Sequence, residues 1–86
     1  MIEIPQTLKK GDSGKPVFVL EHFLKARGYY KGNLDHSFGD LCDAAVRQFQ
    51  TDRYKQSGVC LGNSDGTPDG IVGMKTWEDL FGGFDA

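Results

Sequence analysis

The sequence predicts an all-α domain: a small three-helix bundle with an internal turn-helix repeat and a long loop between helices 2 and 3. Three observations carry that expectation. Apolar residues recur at helical spacing in two stretches, and more briefly in a third near the C-terminus. The stretch "LDHSFGDLC" (34–42) is echoed by "PDGIVGMKT" (68–76); aligned on Asp35 and Asp69, Phe38 matches Val72, Gly39 matches Gly73 and Cys42 matches Thr76. Between them, "YKQSGVCLGNSDGTPDG" (54–70) is dense in Gly, Ser, Asn and Asp and reads as a loop. Eighty-six residues suffice for one modest core, so 1–86 is taken as a single domain.

Residues 1–10 form a lead-in whose Ile2, Ile4 and Leu8 can lie against the core. The first helix follows in "GDSGKPVFVLEHFLKARGYY". Asp12 or Ser13 is expected to accept bonds from its free first-turn N–H groups, and Pro16 is tolerated where an N–H would be unpaired anyway. Val17, Leu20 and Leu24 share a face with Phe23 beside them; Lys25 and Arg27 suit the negative end of the dipole, and Gly28 a left-handed C-terminus. Phe18 and Val19 lie off that face. They are expected to pack under Ile2, Ile4, Phe81 or Phe84, with an exposed contact patch as the other reading.

A turn-rich connection, "YYKGNLDHSFG", pivots on Gly32-Asn33. The second helix is expected from about Asp40 to Arg53. Leu41, Ala45, Val46 and Phe49 form its buried stripe, and Asp43, Arg47, Gln48 and Gln50 face water. A short third helix begins after Gly73, turns Trp77 and Leu80 inward, and ends at Gly82-Gly83. Three amphipathic helices cannot bury their stripes separately, so they pack on one another. A tetratricopeptide array, which the spacing of the two copies superficially fits, needs two helices per period, and each period here holds one helix and a loop.

The net charge of −2 and the lack of a basic stripe interleaved with aromatics argue against nucleic acid. No apolar run approaches the roughly 18 residues of a membrane span, and Met1 to Pro5 shows neither the basic nor the apolar region of a signal peptide. The chain therefore either works without conventional export or is a piece of a larger protein. Cys42 and Cys60 are too few for a disulfide scaffold or a thiolate zinc site. A bridge between them requires a folded-back loop; two free thiols are the simpler reading.

These residues, taken in order, resemble the peptidoglycan-binding domain found beside cell-wall hydrolases. Leu8, Gly11, Asp12, Gly14, Val17, Leu20, Leu24, Gly28 and Tyr29 match the first part of that family's pattern. Asp35, Phe38, Gly39, Ala45, Val46, Phe49 and Gln50 match the second, and Asp69, Gly70, Val72, Gly73, Thr76, Trp77 and Leu80 the last. The match runs from about 8 to 80. The departures are His36 for Gly, Cys42 for Thr, Glu21 for Gln, Arg27 for an apolar residue, and an inserted loop over 54–66. The resemblance implies a three-helix bundle without catalytic activity, acting at the cell wall or outside the cell. Its source would be a bacterium or a phage, and its partners peptidoglycan (stem peptide or glycan) and a covalently linked catalytic domain. The alternative is a protein-interaction or intramolecular docking module of the same fold.

What the repeated residues do is first structural. Asp and Gly suit a tight turn, the second Gly precedes a helix, Phe38 and Val72 plug the core, and Thr76 is expected to help cap the third helix. The functional reading is that two turns ending in helix N-termini leave N–H groups facing a shared groove, suited to carboxylates and acyl oxygens. The candidate ligand-binding residues are Tyr30, Asn33, Asp35 and Gly39 in the first turn, Arg47 for a stem-peptide carboxylate, and Gly70 and Gly73 in the second. Trp77 is read as core.

No catalytic residue, metal or cofactor is expected. "GDSGKP" echoes a serine-protease string, but it opens a helix and has no scaffold for a triad. "DGTPDGIVGMKT" (65–76) imitates a calcium loop whose last position is Thr76 where a bidentate Glu belongs. His22, His36, Cys42 and Cys60 fit no usual zinc spacing. No pair of acidic residues is placed in a recognisable hydrolytic cleft.

Overall fold

Pro16 and Gly28 mark the ends of the first helix, and the computed structural model, described over residues 7–81, realises both signals. α1 spans Lys15–Ala26 with Pro16 in its first turn. It closes through Arg27 onto Gly28, at φ 86, where a left-handed residue releases the chain. α2 spans Asp40–Ser57 and ends on Gly58 at φ 76, and α3 spans Met74–Leu80. The described residues thus form three helices and no strand, the expected all-α bundle.

Leu8, Val17, Leu20, Leu24, Phe38, Val46, Phe49, Val72, Trp77 and Leu80 make the buried centre. Trp77 is fully enclosed and stacks on Phe81, which meets Phe23 edge-on. Each large side chain so buried contributes on the order of 1.5–3 kcal/mol. The lead-in crosses both turns. Leu8 exchanges backbone bonds with Val72 (3.1 and 2.8 Å). A few residues on, Gly11 and Gly14 donate to Phe38 and His36 carbonyls, and Asp12 accepts from Phe38 N–H.

Several local expectations are corrected. No side chain caps α1: its N-cap is Gly14, Asp12 instead accepts the N–H of Lys9, and Ser13 pairs with Ser37 in an isolated bridge. Thr76 does not cap α3 either, since Gly73 holds that place and the Thr76 hydroxyl points inward to Leu61 and Gln50. α2 continues one turn past Arg53, because Tyr54 lies against the loop at Gly66 rather than entering it. A Cβ on Gly66 would sit 2.5 Å from the Tyr54 ring. Leu41, assigned to the buried stripe, is 62% exposed, because it opens the helix outside the core. Gln50, assigned to water, is 1% exposed, because it fills the second turn. Phe18 and Val19 are half-buried; Phe18 lies edge-on between His22 and His36, and Val19 packs on the core. Ile2, Ile4, Gly82, Gly83 and Phe84 lie outside the described residues.

Candidate functional site

The two turns share a backbone. In the first, Asp35 Oδ1 accepts the Ser37 N–H at 3.0 Å; in the second, Asp69 Oδ1 accepts the Ile71 N–H at 2.9 Å. The next residue is left-handed in both, His36 at φ 62 and Gly70 at φ 73. Gly39 and Gly73 then enter α2 and α3 with nearly equal angles (φ −103, ψ −159 and φ −96, ψ −165), and no side chain caps either helix.

Each turn is also read by one side chain from a preceding helix. Gln50 on α2 spans the second turn. Its Oε1 accepts the N–H groups of Asp69 (3.2 Å) and Gly70 (3.1 Å). Its Nε2 donates toward Asp69 Oδ1, the Ile71 carbonyl and Thr76 Oγ1, at 3.0–3.3 Å. Glu21 on α1 holds the same place for the first turn. Its Oε1 accepts the His36 N–H at 3.2 Å, the counterpart of the Gly70 bond, while its buried Oε2 has no hydrogen-bond partner.

The seven candidate residues fall into two clusters. Tyr30 is buried and donates its hydroxyl to the carbonyl of exposed Asn33. Its own acidity is suppressed, the phenol being pushed up to about 12 by burial and then by neighbouring Glu21. Asp35 is exposed one turn further on, and Gly39 begins α2. Arg47 and Gly70 come together in the other cluster. The Arg47 guanidinium pairs with Asp43 (3.1 Å) and donates to the Asp69 carbonyl (3.4 Å). A Cβ on Gly70 would meet Asp43 at 2.6 Å and Arg47 at 3.0 Å. Gly73 lies half-buried at the start of α3. Among the described residues, no hydrogen bond joins Tyr30–Asn33 to Arg47–Gly70. The surface between them passes Asp40, which pairs with Lys10, and the exposed Leu41.

Glu21 and Gln50 were missed as turn-reading residues. The signal was present: each directly follows a core position, Leu20 or Phe49, and a polar residue there is carried toward the interior as readily as toward water. Ile71 and Met74, exposed near the start of α3, were not singled out either.

Cys42 is buried and its thiol pushed up to about 12 by burial; Cys60 lies in the segment after α2, and both are free. In the calcium-like stretch the Asp65 carboxylate accepts the Thr67 N–H and hydroxyl, and Asp69 is committed to Gln50 and Ile71. That is turn chemistry. No helix among the described residues is long and apolar enough to cross a membrane.

Comparison with known proteins gives a consistent set. A family model described as peptidoglycan binding domain matches residues 13–54. The SleB N-terminal domain is 31% identical, with TM-score 0.71, covering 91% of this chain and 92% of that one. The endolysin of Burkholderia phage AP3 is 33% identical, with TM-score 0.71, over 91% of this chain and 26% of its own. A peptidoglycan-binding protein from Clostridioides difficile, solved with glutamine hydroxamate, is 33% identical, with TM-score 0.69, over 92% and 42%.

Proposed function

The chain belongs to the peptidoglycan binding domain family, and from that premise we infer that it is a non-catalytic cell-wall module that holds a linked hydrolase on its substrate. The observation that carries the reading is the pattern of coverage. The chain matches nearly the whole of one separate N-terminal domain but only 26% of the phage endolysin, as a module borne beside other domains would. A module of this kind need not bind tightly. Wall is a polymer, and weak contact that keeps an attached enzyme close raises its effective concentration on the next bond.

The two clusters supply the contacts in this reading. Arg47 is half-exposed with its guanidinium aligned by Asp43, so it offers a stem-peptide carboxylate a charge-assisted bond. Gly39 leaves the first N–H groups of α2 without a side-chain cap, beside exposed Asn33 and Asp35. Tyr30 serves from below: its hydroxyl is spent on the Asn33 carbonyl and orients that residue. Gly70 leaves room for Arg47 to lie across the second turn, and Gly73 opens α3 without a side-chain cap. In this reading hydrolysis belongs to the linked domain.

Cosedimentation of the isolated chain with purified insoluble peptidoglycan tests this. The expected result is retention that falls severalfold for Arg47→Ala and Asn33→Ala while their circular dichroism is unchanged. Failure to sediment at any salt or pH would remove the wall reading in favour of a protein-docking role. Release of labelled wall fragments by the chain alone would make it an enzyme.

A further inference from the structure

The two turns differ in the side chain that reads them. In the second, the Gln50 amide gives both things the turn needs: an oxygen for two backbone N–H groups and an N–H for the Asp69 carboxylate. In the first, Glu21 gives the oxygen, to His36 N–H, but Oε2 occupies the place of the donor and has no partner. Glu21 is 0% exposed, so that oxygen is shielded from bulk solvent. A buried carboxylate oxygen without a bond costs several kcal/mol as an anion.

We propose that the first turn is closed by a proton: folded Glu21 is the neutral carboxylic acid, its Oε2 hydroxyl donating to the Asp35 carboxylate as the Gln50 amide donates to Asp69. The acid then supplies an acceptor and one of the amide's two donors, in nearly the same shape. Ionisation with rising pH removes the donor and sets two carboxylates against each other.

The groups facing Glu21 fit this assignment. Asp35 stands beside it in the turn and favours the protonated form. Tyr30 also faces it, but its hydroxyl hydrogen goes to Asn33. The His36 N–H bonds Oε1 and favours the anion, as the nearby Tyr30 hydroxyl also does to a lesser degree. On α2 the facing group is the Cys42 thiol, which stays protonated and supplies no positive charge. Burial outweighs the His36 bond and pushes the Glu21 carboxyl above its ordinary value. The rings of His22 and His36 both lie on Phe18.

The sign follows from linkage. A carboxyl raised on folding contributes stability that is complete below its unfolded value, about 4.3, and is lost as pH rises through the folded value. Glu21→Gln replaces the proton-dependent donor with a permanent one. The variant should melt close to the unaltered chain at pH 4 and higher by about 4 °C or more at pH 7. A difference that is the same at both pH values, or a lower melting point for Glu21→Gln at pH 7, would overturn the proposal. Should the variant not fold, carbon-13 NMR of the Glu21 carboxyl in the unaltered chain decides. A titration above the ordinary Glu range supports the proton lock, and one at or below about 4.3 overturns it. Neither measurement involves peptidoglycan, so the result stands apart from the wall-binding reading.

Discussion

His36 and Gly70 occupy the same left-handed backbone, at φ 62 and φ 73, and show what that conformation requires of a residue. An L-residue there costs roughly 1–2 kcal/mol. The first turn tolerates it because His36 points outward, onto Phe18, and leaves Glu21 room beneath its N–H. The second turn also sets a side chain against a pair: a Cβ on Gly70 would meet Asp43 at 2.6 Å, so the Asp43–Arg47 side chains must move aside. Gly70→Ala is therefore expected to lose about 2 kcal/mol or more in chemical denaturation, combining backbone strain with the displaced ion pair. His36→Gly relieves strain but adds chain entropy and loses the ring contact, so its effect should stay within about 1 kcal/mol. Equal losses at the two sites would show that the turns are not held by the same backbone device.

Among the elements, α3 depends most on its neighbours. Seven residues are too short to be helical alone, and α3 is held by Trp77 in the core and by a two-point contact with α2. Arg53 Nε and one terminal nitrogen reach both Asp79 oxygens, at 2.5 and 3.3 Å, with both side chains largely shielded from water. That geometry places the pair above an ordinary surface bridge. A double-mutant cycle with Arg53→Ala and Asp79→Ala should give a coupling of about 1 kcal/mol, and additivity of the two substitutions would count against it. The long segment between α2 and α3 is likewise fastened rather than free. Gly66 lies on the Tyr54 ring, and a Cβ on Gly62 would come 2.7 Å from the backbone of Thr67 and Asp69. The extra turn of α2 exists to carry that contact.

At the scale of the molecule, the lead-in is what makes one body of two turns. Residues 8–14 pair with Val72 at one end and with His36 to Phe38 at the other. A chain so braced presents its turns in fixed relation, as a surface that grips a polymer requires. On the wall-binding reading, removing the module from a linked hydrolase should slow digestion of insoluble wall by roughly tenfold or more at low enzyme concentration. Digestion of soluble fragments should be unchanged. Equal loss on both substrates would indicate that the module supports the folding of its neighbour instead.

The sequence by itself determined the three helices, the place of each turn, the enclosed Trp77 and the family, because helical periodicity and turn chemistry are local and repeat along the chain. Its pattern also marked Glu21, His36 and Cys42 as substitutions, without saying that Glu21 and His36 share a hydrogen bond and that Cys42 faces them. Only the tertiary structure decided which polar side chains turn inward. Gln50 and Glu21 each follow a core residue by one position, on the boundary between the buried and wet faces of a helix. Which way such a residue faces depends on what is packed opposite, and a turn offering unpaired N–H groups draws it in. The same dependence left Leu41 in water and made one buried carboxyl oxygen of Glu21 the least satisfied atom among the described side chains.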